Sequence, residues 1–174
     1  PPCGMYGRWR HPQSTRTGLE NFADALRKQG GVDIRFRWLA NIEKAHDSQR
    51  FIRLWDSDAL LIADAAHLDD LAACGAADLA IGGVLCGAMS SLNPARASNA
   101  SCVWDRRAGT GETFGCFFDH VVSRRIPLAV LENTSKFDKA LDFTDDQSES
   151  PMLAATAMFQ EHGYSCIHRH IKVA

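Results

Sequence analysis

Cys86 lies in the stretch "AIGGVLCGAMSSLNP", residues 80–94, where an apolar run breaks at Gly82-Gly83 and delivers a thiol among small residues and serines. A thiol at a strand end, opening toward the N–H groups of a following helix, is placed for nucleophilic chemistry. Helix dipoles, cations and hydrogen bonds there favour the reactive thiolate. The same position equally suits a small apolar residue packed in a turn. Further along, "PLAVLEN", residues 127–133, ends in Glu132 and Asn133. A carboxyl group leaving a buried strand loses water, and desolvation makes it a proton donor near neutral pH. Its plain alternative is a salt-bridged acid at a strand end.

Other apolar segments also end in acids. Glu43 closes "IRFRWLANIE" and Asp64 closes "ALLIAD". In open α/β sheets an acid about 25 residues after a turn glycine is placed to hold ribose hydroxyls. Glu43 stands at that distance from Gly18, in the pair Thr17-Gly18. Asp64 is suited to an adenine amino group or to capping the next helix. The stretch 93–113 is long for a structureless connection and carries Arg96, Arg106 and Arg107, which suit phosphate contacts or a solvated loop. Six scattered cysteines without a Cys-x-x-Cys pair argue for free thiols and against a metal centre. Cys74, Cys116 and Cys166 fall in apolar segments and read as core thiols, whereas Cys102 reads as exposed. "HRH" at 168–170 reads as the polar face of a strand, and no metal is expected.

The elements that must position these groups alternate between strand and helix. Leu19, Phe22, Ala23 and Leu26 recur at helical spacing before Gly30, and Ile34, Phe36 and Trp38 alternate as in a strand. Residues 44–55, 66–74, 113–125 and 151–163 read as helices, the last opening at Ser150-Pro151. Residues 59–64, 78–83, 127–133 and 164–171 read as strands, and "DFTDDQSES", 142–150, reads as a surface loop. Short apolar strands between helices predict an α/β fold, a mostly parallel sheet with helices on both faces. Ligands bind outside the carboxyl ends of such strands, which is where Cys86, Glu132, Glu43 and Asp64 fall. A chain of 174 residues suits one domain, and a net charge of −2 gives no basic excess for nucleic acid. No apolar run approaches the ~20 residues of a membrane span, and the free thiols suit a reducing compartment, nuclear or cytoplasmic.

This order of elements resembles the catalytic domain of the DNA cytosine-5 methyltransferases over residues 14–174, with 1–13 as an N-terminal extension. "DLAIGGVLCGAMSS" is similar to the family's Gly-Gly-Pro-Pro-Cys-Gln-x-x-Ser segment, with Cys86 at the nucleophile and Ser90 at the serine. "AVLENTSKF" is similar to its Glu-Asn-Val segment, with Glu132 and Asn133 in register. "HGYSCIHRHI" resembles the strand preceding its Gln-x-Arg-x-Arg segment. The resemblance implies a Rossmann-like fold, S-adenosylmethionine as cofactor and DNA as partner. It would put Thr17, Gly18, Glu43, Asp64 and Gly83 at the cofactor, and Ser90, Arg106 and Arg107 at DNA. Cys86 would add to C6 of a flipped cytosine while Glu132 relieves charge at N3.

Two residues depart from the family pattern: Leu85 replaces the proline before the cysteine, and Gly87 the glutamine after it. Both changes loosen the loop that holds the thiol. The Gln-x-Arg-x-Arg strand and the target-recognition region, the source of most DNA contacts in the family, are not in this sequence. Two other classes stay open. A non-catalytic methyltransferase-like module accommodates Leu85 and Gly87. A cysteine hydrolase or glutaminase-like domain requires a histidine on Cys86, with His67 and His120 nearest in sequence.

Overall fold

The computed structural model describes residues 12–55, 57, 60–64, 67, 75–89, 93–95, 101–107, 109–139 and 150–171. They form an α/β arrangement in the order α1 (Pro12–Gly30), β1 (Ala40–Ile42), α2 (His46–Trp55), β2 (Leu60–Ile62), β3 (Leu79–Gly83), α3 (Thr110–Ser123), β4 (Leu128–Glu132), α4 (Pro151–Glu161). The expected helix 66–74 apart from His67, the loop 142–149, Ser90 and Arg96 lie outside the described residues, as do residues 1–11 of the expected extension.

The strands are parallel, as their apolar runs predict, but among the described residues they form two ribbons rather than one sheet. β1 pairs with β2 from Ala40↔Leu60 to Ile42↔Ile62. β3 pairs with β4 from Leu79↔Leu128 to Gly83↔Glu132. Between the ribbons lies a cavity of about 790 Å³ that runs along both, from Ile34 to Ile42 on one side and from Gly75 to Val84 on the other. The expected strand 34–43 shrinks to Ala40–Ile42 because, among the described residues, only that portion has a neighbour to pair with. Extended backbone without a ladder partner is no strand, whatever its alternation. The expected strand 164–171 is likewise irregular.

Nearly all of the core belongs to the β3–β4 half. Val84, Met89, Val103, Phe114, Phe118, Val121, Ile126, Phe137 and the α4 residues Ala154, Ala155, Met158 and Phe159 form one buried cluster. Phe118 is its hub, 5.9 Å from Phe114 in a stack and 5.0 Å from Phe159 edge-on. Tyr164 closes it, edge-on to Phe159 at 5.6 Å, with its hydroxyl bonded to the carbonyls of Val121 and Ile126. α4 starts as its sequence predicts: Ser150 Oγ accepts from the Leu153 N–H and Pro151 fills the first turn.

Several local expectations are corrected. Thr17 and Gly18 lie within α1, exposed, rather than at a strand-to-helix turn, because the helix already runs from Pro12 through both residues. The stretch before α3 is packed, not open. Residues 101–107 fold back through Asp105 N–H to Ser101 O and Arg107 N–H to Cys102 O, and bury Cys102 and Val103. A side chain at Gly111 would overlap the Cys102 carbonyl, so only glycine lets α3 press on this turn. Cys102 is therefore fully buried instead of exposed, and desolvation pushes its thiol pKa above the ordinary 9.0. Cys166 is exposed and free, and Cys116 is disulfide-bonded, so neither is the reduced core thiol expected.

Candidate active site

The register of β3 and β4 brings together the two segments of chemical interest. Gly83 stands opposite Glu132, so the Cys86 loop and the Glu132-Asn133 segment leave the same ribbon end side by side. Asn133 ties them: its Nδ2 donates to the Val84 carbonyl at 3.1 Å, and its Oδ1 accepts from the Thr134 N–H at 2.7 Å. A side chain on Gly83 would touch Glu132 Oε2 at 3.6 Å, which puts that carboxylate beside the start of the cysteine loop.

Two threonines of α3 fasten the loop from the other side. Thr113 Oγ1 accepts from the Leu85 N–H and Thr110 Oγ1 from the Ala88 N–H, both at 3.3 Å. Thr113 in turn donates to backbone carbonyls of Gly109 or Thr110, which fixes its hydroxyl. Cys86 sits exposed between these anchors at the head of a 3₁₀ turn, Gly87–Met89, whose Met89 N–H returns to the Cys86 carbonyl. Sequence reasoning singled out neither threonine, because a hydroxyl bonding to distant backbone leaves no periodic signature. Gly82 serves packing rather than chemistry. A Cβ there would lie 2.6 Å from the Phe117 ring, so this glycine seats α3 on β3.

Glu132 is exposed rather than buried at its strand end. Two of the histidines have hydrogen-bond partners other than Cys86, His162 Nδ1 with Met158 O and His170 Nε2 with Asp138 Oδ2. His120, one of the two nearest in sequence, lies in α3 and lines the cavity. Arg106 and Arg107, expected at phosphates, are engaged in local pairs. Arg106 reaches Asp119 at 2.6 Å and lies over the Phe118 ring, and Arg107 reaches Asp105 at 2.9 Å.

The carboxylates expected at a cofactor meet at the end of the other ribbon. Glu43 is only 2% exposed, its N–H continues the ladder to Ile62 O, and its Oε1 accepts from the Ala45 N–H at the start of α2. Asp64 lies just past β2, paired with Lys44 at 3.3 Å. Of the residues expected at a cofactor, Gly83 lines the cavity between the ribbons, beside Asn41, Ile42 and Val84. Neither Glu43 nor Asp64 lines that cavity, and Thr17 and Gly18 in α1 do not form a turn that could approach a ligand. Comparison with protein families, curated proteins and solved structures gives no match for this chain. No helix among the described residues is long and apolar enough to cross a membrane.

Proposed function

We propose that this chain carries the nucleophile half of a DNA cytosine-5 methyltransferase site. The observation that supports it best is the parallel register Gly83↔Glu132, which sets Cys86 and the Glu132-Asn133 pair beside one another at a single strand end. The fold offers a second support. In the doubly wound strand order 3-2-1-4-5, the pairs 2–3 and 4–5 flank a central strand. β1–β2 and β3–β4 are two parallel pairs in that chain order, with a cavity along both.

In this reading S-adenosylmethionine supplies an electrophilic methyl group, with Glu43 and Asp64 as the acids toward its ribose and adenine. Cys86 Sγ adds to C6 of a cytosine turned out of the helix, which makes C5 nucleophilic. Glu132 holds the ring at N3, where negative charge would otherwise build. Asn133 is a positioning residue: its amide ties the Val84 carbonyl to the end of β4 and so sets the distance between thiol and carboxylate. Loss of the C5 proton then expels the thiolate. The looseness introduced by Leu85 and Gly87 is countered by the Thr110 and Thr113 anchors.

The test is covalent trapping on a DNA duplex containing 5-fluorocytosine in the presence of S-adenosylmethionine. The reading requires a denaturation-resistant adduct that Cys86→Ser abolishes. Cofactor binding by calorimetry without any adduct would favour the non-catalytic module instead, and an adduct that persists in Cys86→Ser would remove Cys86 from the role.

A further inference from the structure

Two histidines and an aspartate that no sequence motif connects meet on the surface near the exit of β4. Asp138 closes a 3₁₀ turn, Ser135–Asp138, whose Phe137 is buried in the core. His168 and His170 lie on the segment after α4, which Tyr164 anchors through its bonds to Val121 and Ile126. Both sides of the cluster are thus held by core contacts. His170 Nε2 is 2.8 Å from Asp138 Oδ2, and the His168 and His170 rings stand edge-on with centroids 4.7 Å apart. One ligand atom from each of the three residues lies within 4.8 Å of the other two.

We propose that Asp138, His168 and His170 form a binding site for a first-row transition-metal dication, with zinc(II) or nickel(II) as the fitting ions. Metal–nitrogen and metal–oxygen bonds of about 2.0–2.2 Å place neighbouring ligand atoms roughly 3–3.4 Å apart. The Asp138–His170 pair is within a few tenths of an ångström of that edge. His168 closes the rest, at most about 1.8 Å, by side-chain torsion alone. The 4.7 Å separation of the two rings puts both imidazoles on the same side of the segment. Imidazole nitrogens select borderline ions over calcium or magnesium, which prefer oxygen ligands. The His170 side chain is 54% exposed and that of Asp138 26%, so water can complete the coordination shell. Cys166 has the same parity as the two histidines, but its thiol is turned to the Thr156 carbonyl at 3.9 Å and does not join them. A metal here would clip the chain after α4 to the turn leaving β4. The alternative is an Asp138–His170 hydrogen bond with His168 merely adjacent.

The test is calorimetric titration of the whole chain with zinc chloride and nickel chloride, beside His168→Ala, His170→Ala, Asp138→Ala and Cys166→Ser. The proposal requires one ion per chain, affinity weakened at least about tenfold by each of the first three substitutions, and no change in Cys166→Ser. The cobalt(II) form should show visible bands without thiolate charge transfer. No binding, binding indifferent to His168→Ala, or loss of binding in Cys166→Ser would each overturn it. Unchanged thermal unfolding of the variants in chelator separates a lost ligand from a lost fold.

Discussion

The two ribbons are built alike and supported unequally. Each is a parallel pair with acids at its end, Glu43 and Asp64 on one, Glu132 on the other. β3–β4 rests on α3, α4 and a continuous core centred on Phe114 and Phe118. Among the described residues up to β2, the buried apolar side chains are Ala23, Ile52 and Ile62, while Phe22 and Leu54 are exposed. α1 there is stitched by exposed pairs, Arg27 and Lys28 with Asp24, which contribute little. A site gains positional precision from the packing behind it. On that ground the Cys86 loop is the better supported part of the molecule, and the ends of β1 and β2 have less packing behind them.

The sharpest way to break this contrast is to remove one buried side chain from each half. Phe114→Ala should cost about 3–5 kcal/mol, and Ile52→Ala about 2 kcal/mol, the low end for a buried isoleucine, since Ile52 already borders the open cavity between the ribbons. Equal losses in urea unfolding would mean the two halves share one core. Gly82→Ala comes next: the added methyl meets the Phe117 ring, and about 1–3 kcal/mol of overpacking is expected from the same measurement. Cys102 gives a pH signature of the packed half. Burial raises its pKa above the unfolded value near 9.0, so its contribution is complete below that pH and is lost as pH rises through the raised value. Cys102→Ala should flatten the fall in stability above pH 9.0, and in the native wild type a thiol reagent should modify Cys86 and Cys166 but not Cys102. The smallest effect belongs to the loose half. Gly18→Ala adds a methyl into open space inside α1 and should stabilise by about 0.5–1 kcal/mol. Destabilisation would show that residues 17 and 18 form a turn after all.

Much of the packed half is legible in the sequence. The apolar runs at 79–83 and 128–132, the helical spacing after residue 113 and the Ser150-Pro151 start all express local physics, and all appear in place. Legibility fails where structure depends on what pairs across space. "IRFRWL" alternates like a strand, yet among the described residues it has no neighbour to ladder with. Thr17-Gly18 reads as a turn only if a strand precedes it. The pairing of Glu132 with Cys86 is legible, because parallel neighbours of known ends must meet. The hydroxyl anchors Thr110 and Thr113 and the approach of Asp138 to His170 are not, because no spacing rule links residues brought together by separate elements.

The cavity between the ribbons also bears on how the protein behaves at high concentration. A strand edge without a neighbour is a template for another chain, and proteins guard such edges with charge. Arg37 and an Arg35 paired with Asp33, on the segment leading into β1, and Arg124, just after α3, line this opening, with Asp78 as the one acid among its described lining residues. Like charges hold two copies apart, and salt screens that repulsion within about 8–10 Å at 0.1–0.15 M. Light scattering should therefore show self-association rising with ionic strength, and Arg37→Ser should bring the same onset to lower salt.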